Sequence, residues 1–493
     1  MNRVIMQYFE WYYPADGSLW KKLTEEAKQL SDLGITAVWT PPACKGEKGK
    51  ESRGYDIYDF YDLGEFNQKG TIRTKYGTKE EYIRMIETLH QNNLQVYADV
   101  VLNHLAGADE TEKVWVRKMN PESNTEFISE PFQIEAATRF TYPGRAKKYS
   151  SFTWDYHCFS GVGCDEGSKE EGVYNILNEY GETWEEVIGN DKDNYDFLML
   201  SDIEYRNQAV REELKKWGKW YHETASFDGV RLDALKHITP SFPIEWLDYM
   251  RDTANVDLVA IGEYWTATKL DMMQKYVEVT KGRIQLFDAP LHYNFSSASN
   301  CGSTYDLRTI FNKTFVSKHP SLAVTFVDNH DTQPIQSLES CVKTWFKPMA
   351  YALILLRQEG YPCIFYADFY GAKYEDKGRD GKHYKINLPI IKEIKKLLVL
   401  RKKYAYGEQK DYFDNQNCIG WIRMGNEEGL GCVVLLSNDA KSKKKMEVGK
   451  RYAGKKFIDF LHPHAEEITI DADGTGYFHV KEKSVSVWIL KEE

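Results

Sequence analysis

The chain has 493 residues, which is enough for more than one domain and for a large buried core. Hydrophobic residues make up 42% and charged residues 28%, a balance typical of soluble globular proteins. The net charge of -10 argues against a nucleic acid partner. No run of 18 apolar residues occurs, so we expect no membrane span.

The cysteines and the N-terminus indicate the cellular setting. The eight cysteines are scattered and form no CxxC pair, which gives little support to a zinc site or a disulfide framework. The first residues, MNRVIMQYFEWYY, lack the apolar core and the small-residue cleavage site of a signal peptide. We therefore expect a cytoplasmic protein. The alternative is that a leader has been removed from a longer precursor.

Short apolar strands alternate with segments of helical periodicity along most of the chain. The strand candidates are residues 4–9, 35–40, 94–102, 227–232, 258–264, 284–287, 322–327 and 363–366. Gly34 ends the first helix, which carries Leu19 and Leu30 on one face, and Thr78 with Glu81 forms a capping box ahead of another helix. Eight alternating units predict an α/β fold, the (β/α)8 TIM barrel.

Two parts of the chain break this alternation. Residues 104–207 are polar, rich in Gly, Ser and aromatic residues, and too many for one loop, so we predict an irregular β-rich subdomain inserted after strand 3. After residue 400 the pattern becomes that of β-strands. We predict a catalytic barrel of residues 1–103 and 208–400, an inserted subdomain B of residues 104–207, and a C-terminal β-sandwich domain of residues 401–493.

Polar motifs follow several of the predicted strands, and active residues of such barrels lie at the C-terminal strand ends. The motifs are DVVLNH at residues 99–104, GVRLDALKH at 229–237, GEYW at 262–265 and VDNHD at 327–331. Strand alternation places Arg231 and Asp233 on one side, inside the barrel mouth. A guanidinium beside a carboxylate holds it ionised, as a nucleophile requires. A structural ion pair in the barrel core is the alternative interpretation.

Glu263 and Asp331 close two further strands. A partly desolvated glutamate has a raised pKa and can donate a proton near neutrality, whereas the alternative for Glu263 is an ordinary charged loop residue. Three carboxylates at three strand ends are difficult to explain by packing alone, because uncompensated like charges are costly. Two carboxylates that flank a glycosidic bond are the general arrangement of glycosidases. His104, His237 and His330 are candidate donors to sugar hydroxyls, although a single histidine is more often structural.

The four motifs, in this order, resemble the four signature regions of the α-amylase family of glycoside hydrolases. The resemblance extends across the chain, including QYFEWYYP at residues 7–14 and SVSVWIL at 484–490. It is greatest to bacterial liquefying-type α-amylases and their cytoplasmic relatives. The resemblance implies retaining endo-hydrolysis of α-1,4-glucosidic bonds in starch, glycogen or maltodextrins through a covalent glycosyl-enzyme. We expect a monomer whose partner is an α-glucan, with no nucleic acid or membrane partner.

The resemblance also implies roles for individual residues. Asp233 would be the nucleophile, Glu263 the acid/base and Asp331 the stabiliser of the transition state. Arg231 would orient Asp233, and Tyr55 would stack on the sugar in subsite −1. The other residues implied to contact the substrate are His104, Lys236, His237, His330, Trp265, Gln333 and Trp11.

Members of this family usually bind a structural calcium where the insertion meets the barrel, and calcium requires several oxygen ligands. The implied ligands are Asn103, Asp196, Asp202 and the backbone carbonyl of His237. Secreted liquefying relatives carry a second metal cluster on additional aspartates, but Ser160 and Arg206 stand in that region here. Since a cation at Arg206 repels metals, we predict one calcium ion.

Two further functions stay open on the sequence alone. A transglycosylating glucan-remodelling enzyme would share the covalent intermediate and transfer it to a sugar hydroxyl instead of water, and no motif decides between the two. A non-catalytic glucan-binding protein would usually lack one of the catalytic carboxylates, all three of which are present. A barrel enzyme for phosphate or nucleotide substrates would carry a glycine-rich phosphate loop, which the sequence lacks.

Overall fold

A closed barrel of eight parallel strands forms the centre of the computed structural model, which describes residues 2–123, 125–189, 194–462 and 466–491. The barrel strands are β1 (Ile5–Gln7), β2 (Ala37–Thr40), β3 (Gln95–Val100), β4 (Gly229–Leu232), β5 (Val259–Gly262), β6 (Gln285–Phe287), β7 (Ala323–Phe326) and β8 (Tyr361–Phe365). Each strand pairs with its neighbour in chain order, and β8 pairs with β1. The predicted barrel and its eight strands are confirmed.

Helices cover the outside of the barrel, because strands that are apolar on both faces must be buried on both faces. The helices are α1 (Leu19–Leu33), α2 (Lys79–Gln91), α3 (Gln208–Ala225), α4 (Ser241–Ala254), α5 (Leu270–Val279), α6 (Ala289–Cys301), α7 (Lys347–Leu355), α8 (Tyr366–Tyr370) and α9 (Glu393–Tyr404). Gly34 ends α1 with a φ of 100°, a left-handed conformation that glycine adopts without steric cost. No described helix has the length and apolar character needed to cross a bilayer.

The insertion between β3 and α3 is built on a six-stranded antiparallel sheet. In spatial order its strands are His104–Leu105, Ser201–Ile203, Phe159–Asp165, Glu170–Ile176, Glu110–Lys118 and Phe132–Arg139. This part is more regular than predicted, because residues 132–139 alternate between buried and accessible positions along a long hairpin. Its first and last segments join the ends of β3 and α3, so the sheet stands beside the C-terminal mouth of the barrel.

The C-terminal part of the chain forms two sheets around a separate hydrophobic core. The larger sheet contains Gln409–Asn415, Cys418–Arg423, Cys432–Ser437, Ser484–Leu490, Lys456–Asp459 and Ile468–Thr469. The smaller sheet pairs Ser442–Glu447 with Thr475–Val480. The last barrel helix, α9, continues to Tyr404, past the predicted domain limit at residue 400.

Thr78 offers a test of the local signals that define the helices. Its hydroxyl accepts a hydrogen bond from the Glu81 amide at 3.4 Å, and the Glu81 carboxylate accepts one from the Thr78 amide at 3.0 Å. We expect Thr78→Ala to lower the free energy of unfolding by about 1 kcal/mol, measured by urea denaturation, because the Glu81 amide loses its acceptor. Thr88→Ala, within the same helix, should change it by less than about 0.5 kcal/mol. Equal losses for the two variants would contradict the capping role.

Candidate active site

A single buried arginine joins three carboxylates in the mouth of the barrel. Arg231 is 1% exposed, and its Nη1 donates to Asp99 Oδ1 at 2.9 Å and to Asp233 Oδ1 at 2.5 Å. Its Nη2 donates to Glu263 Oε2 at 2.6 Å. Strand alternation predicted that Arg231 and Asp233 share a side, and the structure places both inside the barrel. The guanidinium compensates charges that would otherwise be costly to bury.

Backbone pairing beyond the strand ends fixes the two neighbouring carboxylates. The Asp233 amide donates to the carbonyl of Val100 at 3.0 Å, which extends the pairing of β4 with β3. The Glu263 amide donates to the carbonyl of Leu232 at 2.9 Å, which extends the pairing of β5 with β4. Both side chains therefore start from rigid backbone at adjacent strand ends, which suits a site that must hold its geometry.

Asp331 joins this group from the end of β7. The neighbouring His330 is buried, and its Nε2 lies 3.3 Å from Asp331 Oδ2. Gln7 Nε2 lies 3.0 Å from His330 Nδ1, which makes that nitrogen an acceptor and leaves the proton on Nε2. Burial raises the pKa of Asp331 well above its usual range, and the charges of Glu263 and Asp233 raise it further. These effects show that the three carboxylates act on one another.

The environment of Glu263 suits a proton donor. Burial raises the pKa of Glu263 to about 7, with Arg231 acting in the opposite direction and the charge of Asp233 raising it again. The amide of Ala234 also donates to Glu263 Oε2 at 3.3 Å. At neutral pH a substantial fraction of this carboxyl group carries a proton.

The hydrogen bond between Asp233 and Glu263 has opposite effects on the pKa values of the two carboxyl groups. Burial raises the pKa of Asp233 above its ordinary value, and Arg231 lowers it. Arg231 favours the ionised carboxylate, as expected from the sequence, but burial has the larger effect on this pKa. The hydrogen bond between the two carboxyl groups lowers the pKa of Asp233 and raises that of Glu263. The two carboxyl groups therefore titrate as a pair.

Asp99 is a residue of this centre that the sequence reasoning missed. Its Oδ2 accepts hydrogen bonds from Trp39 Nε1 at 2.9 Å and from the Tyr55 hydroxyl at 2.8 Å, while Oδ1 accepts from Arg231. The sequence could have indicated this role, because Asp99 lies inside the apolar run of residues 94–102 and a buried charge there needs a partner. Asp99 holds both Arg231 and Tyr55 in place.

Aromatic rings form one wall beside the carboxylates. Tyr55 stacks on His330 with ring centroids 5.1 Å apart, and Trp11 stacks on both rings at 5.8 and 5.9 Å. His104 is buried, and its Nε2 donates to the carbonyl of Tyr55 at 2.8 Å, so it supports this wall from behind. Such a wall suits the apolar faces of sugar rings.

Gln333 supports the same wall in a way that the sequence did not predict. It is 1% exposed, its Oε1 accepts from the Trp11 amide and its Nε2 donates to Glu10 Oε2, each at 3.2 Å. The side chain was expected to line the cleft. It lies beneath Trp11 instead, because both of its polar ends are used inside the protein.

The remaining predicted contact residues lie on the segments that follow β4 and β5. Trp265 is partly buried, and its Nε1 donates to the hydroxyl of Tyr293 at 3.2 Å. Lys236 and His237 are half-buried in the short 3-10 turn Leu235–His237. The amide of Leu235 donates to the Glu263 carbonyl at 2.9 Å, which ties this turn to the carboxylate centre.

Three of the four predicted calcium ligands, Asn103, Asp196 and Asp202, lie close together where subdomain B meets the end of β3. Asn103 Nδ2 donates to Asp202 Oδ1 at 3.0 Å, and Ser160 donates to Asp202 Oδ2 at 2.6 Å. Asn103 Oδ1 and Asp196 Oδ1 are buried, and neither receives a hydrogen bond from a described residue. Burial raises the pKa of Asp196 to about 7, and burial with the charge of Asp196 raises the pKa of Asp202 well above its usual range.

These oxygens fit a hard cation, which would satisfy the orphaned atoms and offset the buried charge. Within residues 2–123, 125–189, 194–462 and 466–491, no three His, Cys, Asp or Glu side chains converge closely enough to hold a metal ion by themselves. A site here therefore also needs the amide oxygen of Asn103 and a backbone carbonyl. Arg206 occupies the adjacent region, where it donates to Glu204 Oε1 at 2.7 Å and Oε2 at 2.6 Å.

Comparison with known proteins agrees with this geometry. The family model described as alpha amylase, catalytic domain, matches residues 16–395, and the model described as alpha-amylase C-terminal matches residues 432–489. The chain is 45% identical to the cytoplasmic alpha-amylase of Escherichia coli strain K12, over all of this chain and 99% of that protein. It is 47% identical to an alpha-amylase of Geobacillus stearothermophilus, over all of this chain and 87% of that protein.

Solved structures show the same fold at lower sequence similarity. The structure of an Anoxybacillus alpha-amylase superposes with a TM-score of 0.65 at 18% identity, covering all of this chain and 98% of that chain. The barrel, the inserted sheet, the strand-end carboxylates and the match over most of the chain agree with one another. The chain belongs to the α-amylase family.

Proposed function

We propose that the protein is a retaining endo-hydrolase of α-1,4-glucosidic bonds in starch, glycogen or maltodextrins. The observation that carries this proposal is the pair of carboxyl groups that Arg231 holds at adjacent strand ends, where burial raises the pKa of Glu263 to about 7 and suits it to the role of the acid beside Asp233. A retaining glycosidase needs this division, one carboxylate to attack and one acid to protonate the leaving group. Relatives named alpha-amylases share nearly half of the sequence.

In the first step, Asp233 attacks the anomeric carbon, and the bond from that carbon to the glycosidic oxygen breaks. Glu263 gives its proton to the departing oxygen, so the leaving sugar departs as a neutral alcohol. In the second step, the ionised Glu263 takes a proton from water, and the resulting oxygen attacks the anomeric carbon. Asp233 is released as a carboxylate, and Glu263 regains its proton.

The surrounding side chains bind the sugar and stabilise the positive charge that develops on its ring. Asp331 supplies a third carboxylate for that charge, and Tyr55 stacks on the ring in subsite −1. His330 carries a proton on Nε2 that suits a sugar hydroxyl. We assign further substrate contacts to Lys236, His237, Trp265 and Trp11, and supporting roles behind the aromatic wall to His104 and Gln333.

One structural calcium completes the proposal. Asn103, Asp196, Asp202 and the His237 carbonyl would hold it, and its positive charge would offset the buried carboxylates and join subdomain B to the barrel. Arg206 pairs with Glu204 in the region where a second ion would need free carboxylates, which supports a single ion. We also infer a cytoplasmic location, supported by the similarity to a relative named cytoplasmic alpha-amylase, and a monomeric state.

Asp233→Asn tests the mechanism. The variant keeps the size of the side chain and removes the nucleophile, so hydrolysis of maltoheptaose should fall by more than about 1,000-fold, measured as reducing ends released. Asp252→Asn, on the exposed face of α4, should retain full activity. Circular dichroism should show both variants folded. Substantial activity in Asp233→Asn would overturn the mechanism, and longer glucans formed by the unmodified enzyme without new reducing ends would favour a transglycosylase.

The pH profile tests the role of Glu263. Because its pKa is raised to about 7 and the protonated form is the active one, kcat/KM should fall about tenfold per pH unit above that value. Glu263→Gln should lower kcat/KM by about 100- to 10,000-fold and remove this alkaline limb. An alkaline limb that persists in Glu263→Gln would show that another group donates the proton.

Chelation tests the calcium site. Saturating calcium at about 100 times its dissociation constant should stabilise the fold by about 2.7 kcal/mol, so a chelator should lower the melting temperature. Asp202→Asn should abolish that calcium dependence, whereas Asp257→Asn on the surface should leave it unchanged. Native mass spectrometry should show one calcium per chain. Two ions per chain, or a melting temperature that does not respond to chelator, would contradict the proposal.

A further inference from the structure

A depression of about 370 Å³ lies outside the barrel mouth, on α3 where this helix meets subdomain B. Its lining includes Tyr61, Tyr149, Ser150, Glu213, Lys216 and Trp220. None of these residues belongs to the candidate active site. The volume lies at the lower end of the range of about 300–1,000 Å³ that is usual for small-molecule sites.

A buried carboxylate contributes to this depression. Glu213 is 5% exposed, and its Oε1 accepts hydrogen bonds from the hydroxyls of Tyr61 at 3.0 Å and Ser150 at 2.5 Å. Its Oε2 receives no hydrogen bond from the residues that the structure describes, and within the same residues the carboxylate forms no ion pair. Water reaches this second oxygen, which can equally accept a hydrogen bond from a ligand in the depression.

Aromatic rings stand beside the carboxylate. Trp220 lies with its ring centroid 4.8 Å from that of Tyr149 and 5.0 Å from that of Tyr61. Tyr149 is 39% exposed, and its hydroxyl donates to Glu65 at 2.8 Å and accepts from Lys79 at the same distance. Tyr149 is thus held by its hydroxyl and remains accessible from solvent, Trp220 is half-buried, and Tyr61 is buried beside them.

The backbone that presents Tyr149 is strained. Tyr149 has a φ of 70°, and Tyr142, Ala146 and Lys147 in the same segment also have positive φ values. Residues other than glycine adopt this conformation at an energetic cost, and such residues cluster where a ligand must be met.

We propose that this depression is a second α-glucan site, separate from the catalytic cleft. Aromatic rings pack against the apolar faces of sugars, and the free Glu213 oxygen accepts hydrogen bonds from adjacent sugar hydroxyls. One ammonium group, that of Lys216, lines the depression, which is too little positive charge for a phosphate ligand. A cationic ligand is disfavoured because Lys79 Nζ already lies 4.7 and 5.7 Å from the Tyr149 and Trp220 rings.

Affinity electrophoresis in gels that contain glycogen tests the site. All variants carry Asp233→Asn, so that the polymer is not digested and the cleft contributes a constant background. Trp220→Ala and Glu213→Gln should each weaken retardation by glycogen at least about fivefold, because each removes one part of the site. Trp115→Ala, which removes a 52% exposed tryptophan from subdomain B, should leave retardation unchanged.

Hydrolysis of maltopentaose by the same substitutions in the active enzyme provides the second measurement. Unchanged kcat/KM on this short substrate, with weakened binding of glycogen, would establish a separate polymer site. Unchanged retardation of both Trp220→Ala and Glu213→Gln would overturn the proposal. A loss of kcat/KM on maltopentaose in these variants, together with weaker retardation, would also overturn it, because it would indicate a structural role for the two residues. Displacement of glycogen by tetramethylammonium would assign the depression to organic cations instead. If the proposed catalytic mechanism were wrong, the Asp233→Asn single variant would still hydrolyse the glucan. That outcome is distinct from the results for Trp220→Ala and Glu213→Gln.

Discussion

The buried guanidinium of Arg231 is the interaction on which the site depends. Three carboxylates, Asp99, Asp233 and Glu263, surround one cation at distances of 2.5–2.9 Å. The barrel brings them together because β3, β4 and β5 are neighbours: Asp99 lies near the end of β3, and Asp233 and Glu263 directly follow β4 and β5. Burial raises the pKa of Glu263 to about 7, and the charge of Asp233 acts in the same direction against the opposing effect of Arg231.

Buried carboxylates also lie together below the cleft, but there the compensating charge has a different source. Asp196 and Asp202 are buried close together, and their raised pKa values show that no side-chain cation compensates them fully. A calcium ion would supply that charge from outside the chain, whereas Glu204 receives its charge from Arg206 within the chain. Because Arg206 already neutralises Glu204, the proposed site calls for one ion in this part of the protein. The stability of subdomain B would then depend on one ion only.

Much of the barrel was predictable from the sequence, because strands buried on both faces are apolar throughout and end abruptly in polar motifs. Arg231 and Asp233 could be placed by strand alternation alone. The catalytic roles were predicted only through the resemblance, since a lone carboxylate has an ordinary structural explanation. Asp99 and Gln333 were not placed correctly, because their positions depend on contacts with Tyr55 and Trp11 that are distant in sequence. The depression beside Trp220 joins segments about 70 residues apart, beyond the reach of periodicity.

Trapping of the covalent intermediate tests the central claim, that Arg231 divides two carboxyl groups into a nucleophile and an acid. A maltotriosyl fluoride has a leaving group that needs no proton, so Glu263→Gln should still be glycosylated but should lack the base that activates water. The intermediate should therefore accumulate, and mass spectrometry of a peptic digest should place the added sugar on Asp233. A sugar attached to Asp331 or another residue, or no covalent product at all, would contradict the account.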